Sequence, residues 1–146
     1  MKPYRGIPIN GKNFVYGDLI RKSKRAWIVI DFEIPKSIKF GGMQLLCNSY
    51  EVIPDTLGLC LLRKDVNNKT IYELDDVKVV YRDKCGFARK EIGIVEIYEL
   101  RVILNFPQYG VIIPMDEFDT DDPADFEIVA NEIESPGYAL NINTKR

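Results

Sequence analysis

Apolar and polar residues alternate with a period of two along much of this chain, and sustained helical periodicity is scarce. The pattern predicts a short strand at 14–16 running into a turn at Gly17-Asp18. A longer strand follows at 26–34, rich in β-branched and aromatic residues and closed by Pro35. A loop at 37–42 leads to short strands at 45–47 and 50–53, the second stopped by Pro54. The run 57–62 is continuously apolar around Gly58, the signature of a fully buried strand. Asp65-Val66-Asn67-Asn68 carries turn chemistry, because Asn tolerates positive φ and both side chains compete for backbone bonds.

Beyond that turn, Val77, Val79 and Tyr81 alternate with Lys78 and Arg82 as in a half-buried strand, and polar 82–91 with Gly86 reads as a loop. The stretch 92–104 is the longest strand-like segment. It sets Tyr98, Leu100, Val102 and Leu104 on one face, opposite Glu99 and Arg101. Its length implies two strands, or one bent at Gly93. Strands at 111–113, ended by Pro114, and at 126–133, closed by Ser135-Pro136-Gly137, complete the set, and 137–146 reads as a polar, frayed tail. Many short strands between turn signals predict a mainly β fold, barrel or sandwich-like, with little helix. We expect one compact domain over 1–146, within which a β-unit at 1–36 packs on a core at 43–136.

Composition narrows the chemistry. At 146 residues, 46% hydrophobic and 29% charged, the chain can bury a core without metals or disulfides. Its net charge of −2 gives no general basic surplus for nucleic acid. No apolar run approaches the roughly 20 residues of a membrane-spanning helix, and the first residues do not form a signal peptide, so a cytoplasmic protein is expected. Cys47, Cys60 and Cys85 are odd in number and widely spaced, so they read as small apolar residues of a reducing compartment. There is no histidine, which removes His-based triads, His general bases and His metal ligands.

Three clusters carry candidate chemistry. Asp116, Glu117, Asp119, Asp121, Asp122, Asp125 and Glu127 form an acidic stretch, and Asp119-Thr120-Asp121 alternates like a calcium loop. Ala124 and Ala130 stand where such a loop needs glycine and glutamate, so a solvated loop is the better reading. Asp75-Asp76, just before an alternating strand, are the types needed for a general acid and base. With no nucleophile, oxyanion donor or phosphate cradle nearby, they read instead as turn carboxylates accepting backbone N–H groups. Arg21, Lys22, Lys24 and Arg25 lead into Trp27, a cationic and aromatic combination that can hold phosphates and stack bases. The same cluster fits a solvated turn that discourages edge pairing.

Several segments, in order, resemble the YopX family of small phage and prophage proteins. Tyr4-Arg5-Gly6 and Phe14-Val15-Tyr16-Gly17-Asp18-Leu19 are similar to its opening. Ile53-Pro54-Asp55-Thr56-Leu57-Gly58, then Lys64-Asp65, Asn67, Lys69 and Ile71-Tyr72-Glu73, follow its central pattern. Gly93-Ile94-Val95-Glu96 resembles its Gly-hydrophobic-Val-Glu strand. Phe126-Glu127-Ile128-Val129, Asn131 and Glu134-Ser135-Pro136 resemble its close. The chain departs from the pattern at Leu74, where glycine is usual, and at Leu59-Cys60-Leu61-Leu62, which replaces a more polar stretch. If that glycine served a positive-φ position, Leu74 implies an altered turn. The resemblance implies a mainly β fold with an SH3-like central part, an origin in a mobile element, and no catalytic residue.

The expectation from the sequence is therefore a non-enzymatic accessory protein without cofactor or metal, acting through a protein partner or self-association and not at a membrane. The alternative is a nucleic-acid-binding β-barrel using Arg21, Lys22, Lys24, Arg25 and Trp27.

Overall fold

The computed structural model describes residues 2–33, 46–119 and 124–144. Eleven strands and one helix account for most of them: β1 (Tyr4–Gly6), β2 (Val15–Lys22), β3 (Arg25–Glu33), β4 (Leu46–Val52), β5 (Gly58–Lys64), β6 (Thr70–Tyr72), β7 (Asp75–Arg82), β8 (Ala88–Tyr98), β9 (Arg101–Phe106), β10 (Val111–Pro114), β11 (Asp125–Asn131) and α1 (Tyr138–Thr144). The protein is mainly β, as the alternation predicts. Strand order is β4-β3-β2-β1-β5-β6 in one sheet and β10-β9-β8-β7-β11 in the other. Each order is linear with two edge strands, so neither sheet closes into a barrel. The predicted loop at 37–42, with Pro35 and Leu45, lies outside the described residues.

The chain divides into two compact units, Met1–Cys60 and Leu61–Arg146. In the first, Ala26, Ile28 and Val52 form a buried cluster against which Tyr4, Val15, Leu19 and Leu57 pack. Gly17-Asp18, read from sequence as a turn, lies inside β2 opposite Val29 and its neighbours. The reason is steric: a Cβ at Gly17 would overlap the Val29 carbonyl, so the glycine serves a close backbone approach and not a reversal.

In the second unit, Ile71, Val77, Val79, Val95, Leu104 and Phe126 belong to one larger cluster. Five of them, Ile71, Val77, Val79, Val95 and Leu104, are fully shielded from water, each contributing roughly 1.5–3 kcal/mol by burial. Phe118 joins them edge-on to Tyr81 and Phe126, with ring centroids 5.4 and 6.1 Å apart. The predicted alternation of Val77, Val79 and Tyr81 faces this core.

Several local readings change. Leu62 in β5 is 80% exposed with φ of +57°, so 57–62 is not a fully buried strand: the left-handed residue interrupts the alternation and turns an apolar side chain outward. The stretch 92–104 is two strands, but the reversal falls at Glu99-Leu100, both at positive φ, and leaves Leu100 fully exposed. Gly93 instead lets β8 pass the Phe106 ring, which a Cβ would approach to 3.0 Å. The loop read at 82–91 shrinks to 83–87, where Asp83 Oδ1 accepts the Cys85 and Phe87 N–H groups at 2.9 and 3.0 Å. Residues 138–144, read from the sequence as part of a frayed tail, form α1, started by Gly137 at positive φ and with Ala139 fully buried.

Candidate functional site

The least ordinary chemistry in the second unit is the reversal from β6 to β7. Leu74 adopts φ of +72°, a left-handed backbone position that suits glycine better than leucine. Two main-chain bonds hold it there: Leu74 N–H donates to Val95 O at 2.7 Å, and Glu132 N–H donates to Leu74 O at 2.9 Å. The next two residues are carboxylates at 1% and 0% exposure, Asp75 and Asp76. Asp75 Oδ2 accepts the buried Tyr72 N–H at 2.8 Å, which is the turn-capping role expected of it.

Asp76 is different. It stands in β7 between Ile94 of β8 and Ala130 of β11, beside an irregularity in the β11 register between Ile128 and Ala130. As a carboxylate it has no hydrogen-bond donor for either oxygen, and only its protonated form can bond to Glu132. Burial, the adjacent Glu132 and Asp75 charges, and a hydrogen bond shared with Glu132 push its carboxyl up to about 7. Glu73 is also raised, by burial and then by Glu96, whose carboxylate lies 3.4 Å from Asn105 Nδ2. A carboxyl titrating near neutrality is what general acid–base chemistry uses, but Asp76 is wholly enclosed and no substrate atom can meet it in this conformation. Among the described residues, no group of three or more His, Cys, Asp or Glu is arranged to hold a metal ion.

The basic cluster is divided by the pleat of its hairpin. Pairing sets Lys22 against Arg25 and Ile20 against Trp27, while Arg21 faces Ala26 on the opposite side. Lys24 lies in the turn, next to Ser23 at positive φ. Arg25 is already engaged: its Nε and Nη2 donate to Glu51 at 2.7 Å each, and its guanidinium sits 4.9 Å from the Trp27 ring. That pairing raises Arg25 and lowers Glu51. The five residues therefore do not form one cationic surface.

The acidic stretch is similarly tied down. Arg63 clamps Asp119 with bonds of 3.0 and 2.7 Å and holds its carboxyl below the usual range. Arg101 reaches Asp116 at 3.1 Å, and Lys78 pairs with Glu127. Asp121 and Asp122 lie outside the described residues. The two arginine pairs rim a cleft of about 320 Å3 floored by Leu61, Val102 and Met115.

One buried carboxylate has a role the sequence conceals. Asp65, 7% exposed, is pushed up by burial, but the Lys69, Ile128 and Asn67 N–H groups bonded to it outweigh this and lower it. Its Oδ2 accepts Ile128 N–H at 3.1 Å while Val66 N–H donates to Phe126 O at 2.9 Å, so the 65–69 turn closes the outer edge of β11. The opposite edge, β10, is apolar: Val111 and Ile112 are 42% and 55% exposed.

No protein-family model, curated protein or solved structure matches this chain. The YopX-like order of short motifs therefore stands on the residues alone.

Proposed function

We propose that this chain is a non-enzymatic accessory protein of a phage or integrated element that acts by protein–protein contact, with β10 as the contact strand and a second copy of the chain as its partner. The observation that carries this reading is the asymmetry between the two edges of the second sheet. Exposed sheet edges are normally blocked by charge, proline or a covering loop. The β11 edge is covered by Asp65 and Val66. At β10, the whole segment 107–115 carries no charged residue, in a chain that is 29% charged. Tyr109, Val111 and Ile112 all expose apolar surface there.

An uncharged edge suits a copy of itself. In an antiparallel pairing about a two-fold axis, equivalent residues lie near one another, and any charge would oppose its own mate. Light scattering on the eluting protein tests this. Wild type is expected to show a concentration-dependent mass above that of one chain, and Ile112→Lys to return it to one chain. A wild type that stays at one chain mass at the highest attainable concentration would overturn the reading. The motif order resembling YopX proteins supports the mobile-element setting.

A further inference from the structure

We propose that the Asp76–Glu132 carboxyl pair is a proton-linked latch that fastens the segment 132–144, including α1, to the sheet of the second unit. The observation behind it is an enclosed carboxylate with no donor. Two ionised carboxylates cannot hydrogen-bond to each other, because neither carries a hydrogen. Register brings Glu132 alongside: Asp76 pairs with Ala130 and Asp75 with Asn131, and Glu132 N–H reaches Leu74 O. With one proton held between the two carboxyls, Asp76 donates a hydrogen bond to Glu132 and the repulsion disappears.

Glu132 is where the C-terminal segment begins its return. Its N–H donates to Leu74 O at 2.9 Å, and its Oε2 accepts the Tyr138 N–H at 3.2 Å, at the first residue of α1. Tyr138 N–H also donates to Ser135 O at 3.1 Å, and Glu134 N–H to Asn131 Oδ1 at 2.8 Å, so 131–138 is one bonded turn. The helix packs on β8 and buries Ala139 completely. The carboxyl of Glu132 thus links Asp76 to the start of the helix.

The other charged groups around Asp76 do not replace the proton. On β7 itself, Asp75 adds negative charge, while Lys78 is taken by Glu127. The 73–74 turn contributes Glu73, and β8 contributes Glu96. β11 contributes Glu127, held by Lys78, and α1 contributes Tyr138, whose N–H is already bonded to Glu132. The two charges that act directly on Asp76, those of Glu132 and Asp75, are both acidic. When the shared proton leaves for solvent, the cheapest relief is for Glu132 to swing out, which frees Tyr138 and loosens α1.

Amide hydrogen exchange read by mass spectrometry tests this, on the intact chain between about pH 5 and about pH 9, after correction for the intrinsic rate. Protection of 138–144, relative to β8, is expected to fall roughly tenfold for each pKa unit of the Asp76 shift that release of Glu132 relieves. Asp76→Asn is expected to make that ratio independent of pH. Glu132→Gln, which keeps the acceptor for Tyr138 but removes the opposing charge, is expected to flatten it even if Asp76→Asn does not fold. A wild-type ratio that does not change with pH, or a fall that survives in whichever variant folds, would overturn the latch.

Discussion

Replacing Asp76 by asparagine should make the protein more stable at neutral and alkaline pH. In the folded chain the Asp76 carboxyl is raised from 3.8 to about 7, whereas unfolded it titrates as an ordinary aspartate. A group raised on folding contributes stability that is fully present below its unfolded pKa and is lost as pH rises through the folded value. The loss therefore runs from about pH 4 to about pH 7. At roughly 1.36 kcal/mol per pKa unit its ceiling is about 4 kcal/mol, and relaxation around the ionised pair brings the expected value to about 2–3 kcal/mol. Asparagine keeps the shape and offers Glu132 an N–H in place of the shared proton, without the charge.

Urea denaturation at a series of pH values is the assay. Wild type should lose stability from pH 5 to pH 8, and Asp76→Asn should be flat over the same range and the more stable protein at the upper end. Glu73, also raised, adds to the wild-type slope in the same sense. The lowered carboxyls, Asp65, Asp83, Glu51 and Asp119, act in a separate window, losing stability only as pH falls below the ordinary carboxylate range. A wild type as stable at pH 8 as at pH 5, or an asparagine variant less stable than wild type at pH 8, would refute the reasoning.

Other outcomes follow from the same structure. The double change Glu99→Asn, Leu100→Gly should raise the melting temperature by about 4 °C, because it relieves two left-handed non-glycine residues for a gain of about 1 kcal/mol after glycine's entropy, while fully exposed Leu100 gives up no buried surface. Asp65→Ala should cost about 2–4 kcal/mol in urea denaturation, since it strips acceptors from the Asn67, Lys69 and Ile128 N–H groups, and should increase exchange at the β11 edge. Leu104→Ala, at a fully buried position, should cost about 2–5 kcal/mol by the same assay.

What the sequence discloses here is what is written in adjacent residues. The proline at 114 and the Asp65–Asn68 turn mark strand ends where the structure has them, and the alternation of Val77 and Val79 identifies the core face of β7. The β8–β9 reversal escaped because Glu99-Leu100 carries no turn chemistry; the flanking strands impose the left-handed backbone on residues that do not favour it. The run around Leu62 looked buried because composition cannot reveal one left-handed residue that flips a side chain outward. α1 has seven residues, too few to declare a periodicity.

The candidate sites show the same division. Arg21, Lys22, Lys24 and Arg25 fall within five residues of sequence, yet the pleat separates their faces and Glu51, from a different strand, claims Arg25. Asp75 and Asp76 were visible as a pair, and Asp75 does cap the turn. The distinctive state of Asp76 depends on Glu132, brought alongside by β11 and the turn that follows it, a relation no local spacing encodes.

The most direct test of the buried carboxyl pair is an NMR titration of the Asp76 side-chain carbon in the intact chain. A midpoint near 7, falling when Glu132 is replaced by glutamine, is the predicted result. A midpoint in the ordinary aspartate range, about 4, would mean that Asp76 is ionised and stabilised where it lies, and would contradict the account.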